Sequence, residues 1–502
     1  MSRSAVRSPA QDPVGALHHA LHMRLASGQR FAALLGRGDP DAGTSLTALV
    51  AHDGDVTALS ATLPAGVTHY PALTPQLPAA FWYERAIHDL VGLLPDGHPR
   101  LDPLVLPHRD DASRLLPHPG APGQPDRIEP YERALSVHLH GTGVFTIPHG
   151  PVRSGVFESV EYLVETPGED IPHLRIRPHA KHRGVQKRFE GMTVDDGVLL
   201  AERVEGIASV AHALAFAHAV ETLAVARVPV AAAMIRVLHA ELERIANHLD
   251  VLGKLTDAAG LAVATARFGL HKEHTLRLVG ALSGSRFGRG VVVPGGVTAL
   301  PRLPADEVTA ELDRLQHAIN GDVRALLDTS SFLDRVRTAG PLDPELARTH
   351  GALGPIGRGS GCTDDCRASR PYDGYQQLAP PPVAVRSAGD AQARMQVRID
   401  EIEAAFYLTR QAIGRLPDCD TDQLSVVAQP GAGQAVGWAE APQGEVLYLL
   451  DVDDAARISY CAPRSASFHN LMLFPSIFVG DILTDFPFNE ASFGLSIAGV
   501  VM

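Results

Sequence analysis

Cysteine is scarce in this chain: Cys362, Cys366, Cys419 and Cys461 are all it has in 502 residues. That count excludes a disulfide framework in a protein this long. Only Cys362 and Cys366 are neighbours, as C-x3-C in "SGCTDDCRAS". Zinc and iron–sulfur sites take four ligands, usually in tighter pairs, so the two read as small loop residues in a reducing compartment. Long hydrophobic runs are missing too. The most apolar stretch, "LMLFPSIFVGDIL", is shorter than the roughly 20 residues that span a bilayer, and Pro475 and Asp481 interrupt it. The opening "MSRSAVRSPAQDPVG" has no apolar core, so no secretory signal is expected. Charged residues make up 20%, and the net charge is −13, which excludes a general nucleic-acid surface because that needs a basic stripe. There is no phosphate-binding loop, dinucleotide fingerprint, GxSxG elbow, HExxH helix, EF-hand loop or internal repeat. What remains is a chain with 45% hydrophobic residues, enough to bury a core in two to four domains of roughly 150 residues each.

Residues 1–107 read as a first unit. "TSLTALVAHDGDVTALSATLP" has the pattern of short strands with turns between them, and "PAAFWYERAIHDLVGLL" that of a helix with Glu84, Arg85 and Asp89 on its polar side. Residues 108–130, rich in Pro, Asp and Gly, read as a linker. The rest, 131–502, opens with strand-like segments ("LSVHLH", "GVFTIP", "GVFESVEYLVET", "LRIRP") and then turns helical. Four long helices are expected, within 209–226, 230–255, 305–329 and 390–416. The expected fold class is α+β: a small N-terminal α/β domain, then a small antiparallel β region and a long-helix bundle.

Several constellations carry chemistry. "RVEGIASVAH" (203–212) scans like a metal-binding helix start without its thiols, because Glu205 and Ala208 stand where a Cys-x-x-Cys pair would precede His212. "AKHRGVQKRFEG" puts His182, Arg183, Lys187 and Arg188 on a loop entering a helix, either as a solvated basic face or as cations beside a redox centre. Arg153, in the hairpin-tip motif "GPVRSGVFE", is either a surface residue or one pointed inward. "GPIGRGSGCTDDCRASRPYDGY" (354–375) shows no regular periodicity yet is dense in Gly, Arg, Asp and Tyr, as functional loops often are. His239 and His248 read as core-edge histidines rather than ligands. The Glu241, Arg244 and Asn247 face beside them requires partners, because buried charge is costly unless paired.

In order and spacing these segments resemble one superfamily. It holds the large subunits of energy-converting nickel–iron hydrogenases, formate hydrogenlyase included, and the related quinone-site large subunit of respiratory complex I. The matching stretches are "GPVRSGVFE", "KHRGVQKRFEG", "ERVEGIASVAHALAFAHAVE", "LHAELERIANHLDVLG", "SGSRFGRGVVVPGGV", "GRGSGCTDDCRASRPYDGY" and "GDAQARMQVRIDEIE". The first unit, through "WYERAIHDLVGLLPDGHPRLDPLVLP", resembles the small complex I subunit that docks on the large one.

The resemblance implies an oxidoreductase subunit, cytoplasmic and peripheral on the inner face of the cell membrane through its partners. Those partners are an iron–sulfur small subunit, which holds the terminal cluster, and the subunits of a membrane arm, whose ion movement is coupled to reduction; no nucleic acid is involved. In the hydrogenases two Cys-x-x-Cys pairs hold nickel and iron. Here the first falls on Glu205 and Ala208, and the second aligns to Gly494 and Ile497, so no metal is expected on this chain. The family implies a vacated cavity that takes a quinone or another small acceptor. Glu205 and His212 are its candidate catalytic groups, and Arg153, His182, Arg183 and Asp365 its candidate cofactor-binding residues. Departures from the quinone-binding relatives are Arg153 and Gly288, where those have histidines, and Gln186, where they have an acid. The alternative is a redox-inactive scaffold joining an iron–sulfur subunit to a membrane arm.

Overall fold

The computed structural model describes residues 12–39, 43–106, 141, 143–153, 158–478 and 480–502. The first unit contains α1 (Pro13–Ala26), strands β1 (Arg30–Asp39), β2 (Gly43–His52), β3 (Asp55–Leu63) and β4 (His69–Pro71), then α2 (Phe81–Val91) and β5 (Leu94–Asp96). Strands β1–β3 form an antiparallel sheet, and β4 pairs with β5 in parallel. The polar side of α2 faces backbone rather than water. Glu84 accepts from the Leu73 and Thr74 amides at 2.8 and 2.9 Å, and Asp89 from those of Leu104 and Val105 at 2.7 and 2.8 Å. These charge-assisted bonds satisfy four backbone amides that lie outside the strands. The expected linker at 108–130 and the expected strand "LSVHLH" lie outside the described residues.

A second antiparallel sheet of three strands follows, β6 (Phe145–His149), β7 (Glu161–Thr166) and β8 (His173–Arg177). The helices begin with α3 (Val185–Phe189), α4 (Val194–Ala201), α5 (Ser209–Ala224), α6 (Val230–Ala258) and α7 (Ala262–Ser283). A two-stranded ribbon, β9 (Val292–Val293) with β10 (Gly296–Val297), leads to α8 (Ala305–Leu327), α9 (Ser330–Val336), α10 (Pro344–His350), α11 (Gly354–Gly359), α12 (Cys366–Ser369) and α13 (Ala391–Arg415). The segment 354–375, expected to be irregular, thus folds into short helices. The last part is a third antiparallel sheet, β11 (Gly433–Ala441), β12 (Gly444–Val452) and β13 (Ile458–Arg464), followed by α14 (Ala466–Leu471), α15 (Phe486–Phe493) and α16 (Ile497–Val500).

The expected α+β class holds, with two elements the sequence reading lacked: α7, a fifth long helix, and the sheet β11–β13. The almost wholly apolar α5 is buried on most sides because α6 and this last sheet enclose it. Contact with β11 is backbone to backbone: a Cβ on Gly437 would lie 2.0 Å from the Ala215 carbonyl oxygen. Only glycine permits that approach.

Candidate functional site

The loop between α4 and α5 carries Glu205 into the interior, where it is 1% exposed. Its Oε1 accepts a 2.6 Å hydrogen bond from the Ser467 hydroxyl at the start of α14, and its Oε2 lies 3.1 Å from His212 Nε2. His212, on the first turn of α5, places its other ring nitrogen 2.8 Å from the Tyr448 hydroxyl on β12. Burial, with the Cys461 and Glu205 charges, pushes the Tyr448 hydroxyl well above its usual range, so the phenol stays protonated. Opposite Glu205 runs α16: a Cβ on Gly499 would sit 2.6 Å from Glu205 Cδ. Ser496, one turn earlier, donates its amide to Ser467 Oγ at 3.1 Å and its hydroxyl to Glu158 at 2.9 Å. Glu158 also accepts from the Ile497 and Ala498 amides. The C-terminal pair facing the Glu205 loop is therefore Ser496 and Gly499. This corrects the register expected from sequence, which named Gly494 and Ile497; a side chain on Gly494 would instead meet Val251 and Arg398.

Arg183 clamps the two loops together. Its guanidinium donates to the carbonyls of Arg203 at 3.0 Å, of Val204, and of Ala498 at 2.9 Å. Burial draws Arg183 down from its ordinary range, and the Glu158 and Glu205 charges oppose that. Glu205, His212 and Arg183 are thus brought together as expected candidates, and the other three lie elsewhere. Arg153 points inward, forming a two-pronged ion pair with Glu490 at 2.7 and 2.8 Å while its guanidinium stacks 5.1 Å over the Tyr162 ring. His182 lines a cavity of about 500 Å³ between the first unit and the C-terminal sheet. Leu34, Ile87, Leu90, Tyr460, Phe468 and Val501 supply much of its wall. Glu205, His212, Arg153, Arg183 and Asp365 do not line it, so this cavity is not one shared by all six residues.

Asp365 belongs to a buried ion network. It accepts from Arg367 at 2.6 Å and lies 3.5 Å from Arg358. Burial opposes its charge, yet the Arg367 and Arg358 guanidiniums hold it well below the usual carboxylate range. The α6 face that required partners finds them here. Glu241 pairs with Arg244 and Arg367, each at 3.1 Å, while His248 lies 2.8 Å from Glu401. Arg358 joins Glu401 to Glu440, and Glu445 collects Arg30, Arg370 and Arg464, so the network reaches β1 of the first unit. His248 is therefore bonded as expected, through Nε2, while among the described residues Nδ1 of both His248 and the buried His239 has no partner.

Residues 40–119 match the family described as the respiratory-chain NADH dehydrogenase 30 Kd subunit, and residues 260–430 that of the 49 Kd subunit. Over 428 residues the chain is 30% identical to formate hydrogenlyase subunit 5 of Escherichia coli (strain K12), covering 83% of this chain and 74% of that protein. The chain belongs to the formate hydrogenlyase–complex I large-subunit family. It is also 28% identical over 469 residues to the C/D polypeptide of the NADH-quinone oxidoreductase of Cereibacter sphaeroides, covering 82% of this chain and 78% of the relative. The membrane-bound sulfane sulfur reductase, an archaeal respiratory membrane complex, shares the fold: TM-score 0.67 at 22% identity, over 72% of this chain and 99% of that one.

This family member carries the 30 Kd-type and 49 Kd-type units on one polypeptide, and its relatives are oxidoreductase subunits. No helix among the described residues is long and apolar enough to cross a membrane. The sequence reading missed Glu158, Tyr448, Ser467, Ser496 and Gly499. Glu158 closes the quoted motif "GPVRSGVFE" and was within reach of it; Tyr448 and Ser467 meet His212 and Glu205 across 236 and 262 residues, with no local signal.

Proposed function

We propose that this family member is the electron-transfer large subunit of a complex I-like or formate-hydrogenlyase-like membrane-associated oxidoreductase, and that it works without a nickel–iron centre. The observation that carries this reading is the donor set at the α5 start. Glu205 abuts Gly499 and is linked to Ser496 through the Ser467 hydroxyl, and with Ala208 in the same loop the four positions offer a carboxylate, a methyl, a hydroxyl and a bare α-carbon. A nickel–iron centre needs four soft thiolates, and these residues do not fit it. The side chain of Glu205 already fills the space up to Gly499.

Electrons would arrive from an iron–sulfur cluster in a small partner protein and leave to a quinone or another small oxidant. The 500 Å³ cavity has the size and apolar lining of a small-molecule site, and His182 borders it. Arg183, next in the chain, reaches the Glu205 loop, so one basic loop joins the cavity to the carboxylate cluster. Reduction of a quinone consumes protons, and Glu205 with His212 would carry them. The chain would sit peripherally on the inner face of the cell membrane through membrane-arm partners, with 1–107 and 131–502 as its two domains. The test uses the intact assembly. His182→Ala is expected to raise the KM for a soluble quinone about tenfold, a loss of roughly 1.4 kcal/mol of binding. Unchanged quinone kinetics would remove the acceptor from this cavity.

The close packing around Glu205 supports a second reading, a redox-inactive scaffold. Reduced partner clusters that fail to reoxidise when quinone is added to the intact assembly would establish it.

A further inference from the structure

A second cavity, of about 90 Å³, opens between α6 and α7 behind the Glu205 loop. Gly206, Ile207 and Val210 form its inner wall, and Asp250, Lys272 and Arg286 belong to its lining. It has room for several waters. Glu243 of α6 projects into it and accepts from the Val210 and Ala211 amides at 2.7 and 3.1 Å, which are free because they open α5. His239, one turn earlier on α6, also lines the cavity, its Nδ1 without a partner among the described residues, and burial lowers it to about 4, so the ring is neutral at physiological pH. Among the described residues no arginine or lysine forms a salt bridge with Glu243. The charged and titratable groups facing it are Glu205 from the preceding loop, His239, Arg244 and Asp250 on its own helix, Lys272 from α7, and Arg286 from the loop after α7. Lys272 is already bonded to Asp250 at 2.7 Å. Burial, its largest influence, together with the Glu205 charge, pushes Glu243 up to about 8, against the opposing pull of the two amides and Arg244.

We propose that Glu243 is the proton-holding residue that loads this site, taking a proton from solvent through the α6–α7 cavity and passing it to the Glu205–His212 pair. In the first step a hydronium ion reaching the cavity from solvent loses one of its O–H bonds, leaving neutral water, and the proton forms an O–H bond on the Glu243 carboxylate. In the second that bond breaks and the proton goes to a Glu205 oxygen, leaving a Glu243 carboxylate held by the two α5 amides. This rests on the reading of Glu205 as a proton carrier, but it is tested without turnover.

The experiment is infrared difference spectroscopy of the protonated-carboxyl stretch, titrated in the intact assembly. The wild type is expected to show a band with a midpoint near 8 that shifts promptly in heavy water. Glu243→Gln keeps an oxygen for the α5 amides and should delete the band; a band that survives overturns the assignment. Glu205→Gln removes a neighbouring negative charge and should move the midpoint to lower pH. An unmoved midpoint breaks the link between the two carboxylates, and exchange into heavy water taking hours overturns the solvent route. Failure of Glu205 as a carrier would appear separately, as turnover unchanged in Glu205→Gln.

Discussion

At the residue scale, the site is a buried carboxylate held at both oxygens. Ser467 and His212 hold both Glu205 oxygens, so Glu205→Gln retains the Ser467 bond but loses the transferable proton. Turnover of the assembly is expected to fall about a hundredfold, the lower range for a positioned acid–base group. Unchanged turnover would discard the proton role. Glu243 gives a pH signature in stability. Its folded-state value, about 8, lies above the ordinary 4.5, so between those values the folded chain keeps a proton that the unfolded chain has released. Stability from this group therefore falls as pH rises through that window. The Tm of Glu243→Gln should gain on the wild type from pH 4.5 to 8, and a constant difference would contradict this. The Glu205–His212 contact was legible because the two sit on one loop-to-helix run; Ser467, Tyr448 and Gly499 were not, because β12, α14 and α16 deliver them from far along the chain.

At the element scale, two failures of pattern have clear causes. The buried stripe of α7 runs Phe268, His271, Thr275, Leu278 and Leu282, helical in spacing but with two polar members. His271 is tolerated there because its Nε2 bonds Asp322 of α8 at 2.5 Å. Strand β12 is buried at eight of nine positions, so it shows no alternation to mark it as a strand. By contrast α5, α6, α8 and α13 declared themselves through long apolar periodicity. The Gly437 approach predicts that Gly437→Ala forces α5 off β11, costing about 1–3 kcal/mol in chemical denaturation. A neutral result would show that the helix and strand have slack. Glu445 predicts a larger effect. It pairs with Arg30, Arg370 and Arg464 in the interior, so Glu445→Gln takes the carboxylate from Arg464 and leaves Arg30 and Arg370 sharing Asp364, which is expected to cost roughly 3–5 kcal/mol.

At the scale of the whole molecule, the ordered motifs identified the lineage, while the placement of cavities could not be read from them. The resemblance pointed to one cavity beside Glu205; instead the carboxylate is packed in, and the larger void lies at the junction of the two units, bordered by His182. That arrangement follows from pieces contributed by β1, α2, α3, β13 and the C-terminal residues, which no single motif contains. The central claim is electron transfer to a small acceptor without nickel and iron. Its most direct test is metal analysis of the purified assembly combined with reoxidation of its reduced clusters by a soluble quinone. The account predicts no stoichiometric nickel and quinone-dependent reoxidation; one nickel per chain, or clusters that stay reduced with quinone present, would contradict it.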